Sequence, residues 1–246
     1  MGFIMKKMKL FAGVMSLALI LSGCGGMTNT GKGALIGTTA GGAAGTGIGA
    51  LIGHFVNGSK GTKMGAIIGA AAGTAVGATA GTLIGRKMDK AAAAAKALEA
   101  AQVEKIQDSN GLDGVKVTFD NGILFAVGKA NLTASAQSSL KKFATDVLNV
   151  YTDCDVSICG FASSDGSEET NMTLSENRAN AVTNYLTGKC GVAKKQIKAT
   201  TGYGEDPNFL ILDANGKEDV KASRRVEVYL LASEEMIKAA EAGTLE

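Results

Sequence analysis

The sequence predicts an α+β domain, strands and helices in the order β-α-β-α-β-β with the helices on one face of a sheet, preceded by a glycine-rich helical hairpin. Three observations predict it. Val115, Val117 and Phe119, and later Val156 and Ile158, alternate with other residues at the two-residue period of a strand. Leu140, Phe143, Ala144, Val147 and Leu148 recur at helical spacing. Ahead of them, glycine falls at every fourth residue through two separate runs.

The chain starts with Lys6, Lys7 and Lys9, then an apolar stretch from Leu10 to Leu21, then Leu21-Ser22-Gly23-Cys24. A basic start, a short apolar core and small residues before a cut describe a secretory leader over residues 1–23. Twelve apolar residues are few for a span, which takes about 20. The run ending at Cys24 resembles the lipobox of bacterial lipoproteins. That resemblance implies that the Cys24 thiol carries a diacylglycerol, and palmitate or a similar acyl chain then holds the protein to membrane lipid. Gly25 follows where an Asp would imply retention in the inner membrane, so an outer-membrane position is expected, with the globular part in the periplasm.

Without the leader, 22 cationic side chains stand against 23 acidic ones, a net charge of −1. That leaves no basic excess to hold a nucleic acid. Gly contributes 34 residues and Pro one, and the Gly is concentrated in the first half. This shift of composition marks a boundary.

After a short tether (residues 24–32), Gly33, Gly37, Gly41, Gly45, Gly49 and Gly53 keep an unbroken spacing of four. Gly65, Gly69, Gly73, Gly77, Gly81 and Gly85 repeat it 32 residues later. This is an internal repeat over residues 33–86. On a helix, residues four apart form one row, and a row of Gly lets another backbone approach closely. Each Gly costs about 1 kcal/mol relative to Ala in a helix, so packing must offset the loss. The partner is either the other copy, as a hairpin at or in the membrane, or a second molecule, as a homo-oligomer or pore. A flexible Gly-Ala spacer is the third reading. Residues 87–111, rich in Ala, Lys, Glu and Gln, are expected to form a polar helical arm roughly 30 Å long.

The globular domain is expected over residues 112–232, with a helical tail over 233–246. Asp120-Asn121-Gly122 offers a tight turn after the first strand, and Ile123–Phe125 can return beside it. A helix follows from about Thr133. Thr173-x-x-Glu176 matches a capping box, so the second helix is expected to start there, burying Leu174, Ala181, Val182 and Tyr185. Gly188 and Gly191 stop it. Ile197–Tyr203 and Arg225–Leu231 supply the last strands.

Four segments carry a resemblance. Gly160-Phe161-Ala162-Ser163-Ser164-Asp165-Gly166, Asn171-x-x-Leu174-Ser175-x-x-Arg178-Ala179, Gly202-Tyr203-Gly204-Glu205 and Ser223-Arg224-Arg225-Val226-Glu227-Val228 resemble the OmpA-like domain. Together with the lipobox and the doubled ladder, the chain is similar to glycine-zipper, OmpA-family outer-membrane lipoproteins. The resemblance implies a tether that binds peptidoglycan non-covalently through the diaminopimelate of its stem peptide. Diaminopimelate carries an ammonium and a carboxylate side by side. An Arg grips the carboxylate through two parallel hydrogen bonds, an Asp neutralises the ammonium, and N–H groups at a helix start can meet the carboxylate as well. Arg178 stands at the family's ligand Arg. Ser163 stands where the family has Asp, which is a departure. Asp165, two residues on, either takes that part or only caps the loop. Asn171 is expected to fix the loop or touch the ligand. Arg225 either lines the groove or forms a cross-strand salt bridge.

Cys154, Cys159 and Cys190 remain after Cys24. Cys154 and Cys159 point to opposite faces of one strand and cannot pair. Export allows a Cys154–Cys190 bridge, and buried free thiols are the alternative. His54 is the sole histidine, so no Ser-His-Asp set forms in the globular part, and no Cys-His grouping has metal spacing. The expectation is a protein without enzymatic activity, cofactor or metal. Its alternatives to a tether are a membrane-active oligomer or an assembly factor acting on a protein partner.

Overall fold

The computed structural model describes residues 76–99, 101–108 and 111–246. Cys24, His54, the first glycine run and the start of the second lie outside the described residues. The elements are helix α1 (Ala78–Lys96), strands β1 (Ala101–Gln107) and β2 (Asp113–Asp120), and a single turn α2 (Asn121–Leu124). Helix α3 (Ala134–Phe143) runs into a π turn (Ala144–Leu148), followed by strand β3 (Cys154–Phe161) and helix α4 (Glu168–Lys189). Strand β4 (Ile197–Gly202), the turn α5 (Val220–Ser223), strand β5 (Arg225–Ala232) and helix α6 (Glu234–Glu241) complete the chain. The five strands lie in the order β1-β2-β5-β3-β4. Only β3 and β4 are parallel; the other pairs are antiparallel.

Alternation divides the sheet into two faces. Val115, Val117 and Phe119, Val156 and Ile158, and Val226, Val228 and Leu230 point toward the helices and are fully buried. Leu140, Phe143, Ala144, Val147 and Leu148 meet them at zero exposure. The π turn carries that apolar stripe past the end of the regular helix. Thr133 caps α3, its hydroxyl oxygen accepting from Ala136 N–H at 3.0 Å.

Helix α4 comes unusually close to the sheet. A Cβ on Gly160 would stand 2.2 Å from the carbonyl oxygen of Ser175, and one on Gly202 2.3 Å from the amide nitrogen of Glu176. Both strands need glycine there because helix backbone occupies the space of a side chain. Ser175, fully buried, clamps the crossing: its hydroxyl donates to Met172 O and accepts from Gly204 N–H, each at 2.8 Å.

The structure changes three expectations and bears on the two readings of the cysteines. The polar arm does not stand away from the domain. Helix α1 packs Ile84, Met88, Ala91, Ala92 and Ala95 into the core, and residues 101–107 form β1, paired with β2 from Asp113 to Phe119. Lys87 fastens the helix to Asp153 at 2.8 Å and to the carbonyl oxygen of Glu246 at 3.1 Å. Ile123 lies in the turn α2 rather than in a return strand, because Asp120 accepts from Gly122 N–H and caps that turn. Helix α4 starts at Glu168, not at Thr173, since Ser167 already supplies the cap to Thr170 N–H and Glu168 and Glu169 suit the first turn. Finally, Cys154, Cys159 and Cys190 are free thiols. Cys154 starts β3 beside Asp153, whereas Cys190 ends α4 against Tyr185, so the two thiols have different neighbours.

Candidate functional site

The end of the sheet where β2, β3 and β4 finish and β5 starts gathers the loops that carry the resemblance. Arg178 reaches this end from α4. It is the eleventh residue of that helix, roughly 15 Å from the helix start at the usual rise. The N–H groups of the first turn therefore do not join Arg178 in one cradle, contrary to the expectation drawn from a start at Thr173.

Arg178 is 2% exposed. Its Nε–H donates to the carbonyl oxygen of Lys129 at 3.0 Å, and its guanidinium lies 5.4 Å from the centre of the Phe125 ring. Among the described residues no carboxylate is within ion-pair distance of it. Burial and the neighbouring Arg224 push the guanidinium down to about 10, which leaves it charged at neutral pH. Arg224 is itself tied back by Nε–H to Val220 O at 3.0 Å. Two guanidinium groups thus share one end of the fold, and the Nη edge of Arg178 has no hydrogen-bond partner among the described residues.

Asn171 organises the loop that follows β3. It is buried, and its Nδ2 donates to the carbonyl oxygens of Ser163 at 3.1 Å and Asp165 at 2.9 Å, and to the Glu205 carboxylate. Gly166 follows at φ 110°, a conformation that favours glycine. Asn171 therefore fixes the loop. Ser163 is buried at 2%, while Asp165 is exposed. No hydrogen bond or ion pair joins either to Arg178. Glu218, which the sequence reading did not single out, accepts from Ser164 N–H at 3.2 and 3.4 Å and from the Ser164 hydroxyl, fastening the loop from the other side. Nothing in its surroundings in the sequence distinguishes it from other loop acids.

Arg225 faces away from the helices. It pairs with Glu227 at 2.7 Å, donates to Ser223 O at 3.0 Å and covers the Phe161 ring at 4.1 Å. Glu227 also accepts from the Tyr229 hydroxyl. The pair is formed two residues apart on one strand rather than across strands, and it consumes the guanidinium, so Arg225 holds the sheet and does not line a groove with Arg178. Phe161, Tyr203 and Phe209 stack beside it.

A family model described as the OmpA family matches residues 124–225, and one described as a YMGG-like Gly-zipper matches residues 5–89. Outer membrane protein P5 of Haemophilus influenzae is 39% identical over 88 residues, which is 36% of this chain and 24% of that protein. Outer membrane protein A of Klebsiella aerogenes is 35% identical over 107 residues, 43% of this chain and 29% of that one. The chain spans about a quarter of the length of the curated relatives it matches. Among solved structures, the cell wall anchor of the T6SS from Pseudomonas aeruginosa aligns with a TM-score of 0.47 at 22% identity, over 59% of this chain and 97% of that one. The periplasmic domain of Helicobacter pylori MotB aligns with a TM-score of 0.46 at 18% identity, over 60% and 88%. No helix among the described residues is long and apolar enough to cross a membrane. Arg178, Asn171 and Ser175 all lie within the residues that match the OmpA family model, and the match to the YMGG-like Gly-zipper model precedes them in the sequence.

Proposed function

We propose that this protein is a non-catalytic tether, anchored by an acylated Cys24 in the outer membrane and gripping peptidoglycan with its globular domain. The observation that carries the reading is Arg178: a buried guanidinium that, among the described residues, has no carboxylate partner and keeps an unspent Nη edge. A cation is costly to bury unpaired, so a site that keeps one is suited to an anionic ligand that completes it. The side-chain carboxylate of diaminopimelate in a stem peptide is that ligand, held by two parallel hydrogen bonds. The outer-membrane names of the relatives fit the same placement, and the Gly-zipper segment adds a second membrane-side element. Each grip need only be modest, because linking two sites raises the effective concentration at the second.

The test is retention of the purified full chain on isolated sacculi at low salt. Arg178→Ala is expected to weaken retention by at least about tenfold, as for loss of a charge-assisted pair, while melting shows the fold intact. Equal retention of the variant, or none by the parent protein, ends this reading. A Cys24→Ser chain is expected to leave the membrane fraction.

A further inference from the structure

We propose, resting on the reading of Arg178 as the ligand's grip, that this site recognises the diaminopimelate carboxylate alone and accepts a residue whose neighbouring amine is already acylated, as it is in a cross-linked stem peptide. The argument follows the acids at this end of the sheet. Glu205 takes the Asn171 amide. Glu218 spends both oxygens on Ser164. Glu227 is closed by Arg225 and Tyr229. Asp120 caps Gly122 and faces Lys221 at 3.8 Å, and Asp219 caps its own turn through Lys221 and Ala222 N–H. Asp206 and Asp213 bond within their own loops. At the buried position next to the Asn171 clamp stands Ser163, a neutral hydroxyl.

What is left for a ligand is therefore unbalanced. Arg178 and Arg224 offer positive charge, and the one acid of the Asn171-clamped loop without a partner among the described residues is the exposed Asp165. An ion pair to an exposed carboxylate contributes little, less than about fivefold in affinity. A charge-assisted bond to a desolvated guanidinium contributes more, tenfold and upward. The Ser163 hydroxyl accepts from an amide N–H as well as from an ammonium; the ammonium bond is the stronger of the two, but Ser163 lacks the opposite charge that an Asp would set against it. Converting the amine to an amide removes only the weaker of the two interactions.

The test uses the purified full chain and three soluble tripeptides ending in diaminopimelate: one unmodified, one with the side-chain amine acetylated, and one with the side-chain carboxylate amidated. Binding is measured by calorimetric titration. Acetylation is expected to change Kd by less than about fivefold, and amidation to weaken it more than about twentyfold. A loss greater than fivefold on acetylation, with the unmodified peptide still bound, overturns the inference and leaves the tether reading standing. Failure of the unmodified peptide to bind overturns both.

Discussion

Helices α4 and α1 both lie on the sheet, but they meet it in different ways. Helix α4 touches β3 and β4 backbone to backbone, through Gly160 and Gly202, with Ser175 as the bolt. Helix α1 meets β1 and β2 through side chains, with Ile84 and Met88 seated among small alanines. The first seam allows no freedom of position, and it is the one that carries Arg178. The second seam fills volume and tolerates adjustment. A binding geometry is best held where no side chain can repack.

The comparison breaks most severely at Gly202. An alanine Cβ there falls 2.3 Å from the Glu176 nitrogen and 2.6 Å from its Cα, both backbone atoms that cannot step aside. Gly202→Ala is expected to cost more than the roughly 3 kcal/mol typical of overpacking. It should also lose retention on sacculi, because α4 must lift and take Arg178 with it. Chemical denaturation and retention measured together check both. Ile84→Ala, at the other seam, is expected to cost about 3 kcal/mol by leaving a cavity. At temperatures where the variant is folded, its retention should match the parent protein. If Ile84→Ala weakens retention as much as Gly202→Ala does, the two seams are not functionally distinct.

Their legibility in the sequence differs for the same physical reason. At Gly160 and Gly202 helix backbone takes the space of a side chain, so only glycine fits, and such constraint leaves a pattern. The α1 seam leaves almost none. Ala91, Ala92 and Ala95 suit a buried stripe and an exposed helix equally well, and the alanine-rich run masks the alternation of Ala101 and Val103 in β1. The start of α4 was obscured in a different way. Thr173 and Glu176 have the spacing of a cap, but capping requires a non-helical backbone, and only Ser167 has it, at φ −100° and ψ 146°. The role of Arg225 turned on Glu227, two residues along the same strand, and pairing at that spacing depends on which face the strand buries.

Ser175→Ala tests the bolt without moving the plates. It removes one hydroxyl from a fully buried position and leaves Gly204 N–H unpaired, for an expected cost of about 1–3 kcal/mol. Retention should fall slightly or not at all, because Gly160 and Gly202 still set the spacing. The charge state of Arg178 gives a smaller effect, confined to alkaline pH. The guanidinium is cationic below about 10 and loses its charge as pH rises through that value. Retention on sacculi is therefore expected to hold constant from pH 6 to 9 and to fall above about 10, with a bound carboxylate displacing the fall upward. A fall centred near neutrality would point to a different group.

The smallest expected effect asks whether glycine on α1 is used as it is on the sheet. Gly85 faces Asp113, whose side-chain oxygen would stand 2.8 Å from an added Cβ, but Gly77 and Gly81 meet nothing within 4 Å. At Gly81 the helix bears glycine's conformational cost without a close contact among the described residues. Gly81→Ala is accordingly expected to stabilise the chain by about 1 kcal/mol, a rise of about 2–4 °C in Tm for a protein of this size. The sign of the change is what discriminates. If another helix backbone lies along Gly77 and Gly81, as a homo-oligomer built on the glycine row would require, the added methyl blocks that approach. Tm then falls relative to the parent protein, and the fall is largest at high protein concentration, where mass action lets the parent gain most from the assembly that the variant cannot form. A rise that is independent of concentration means that this end of the row carries no packed partner and that any assembly uses the glycines earlier in the sequence.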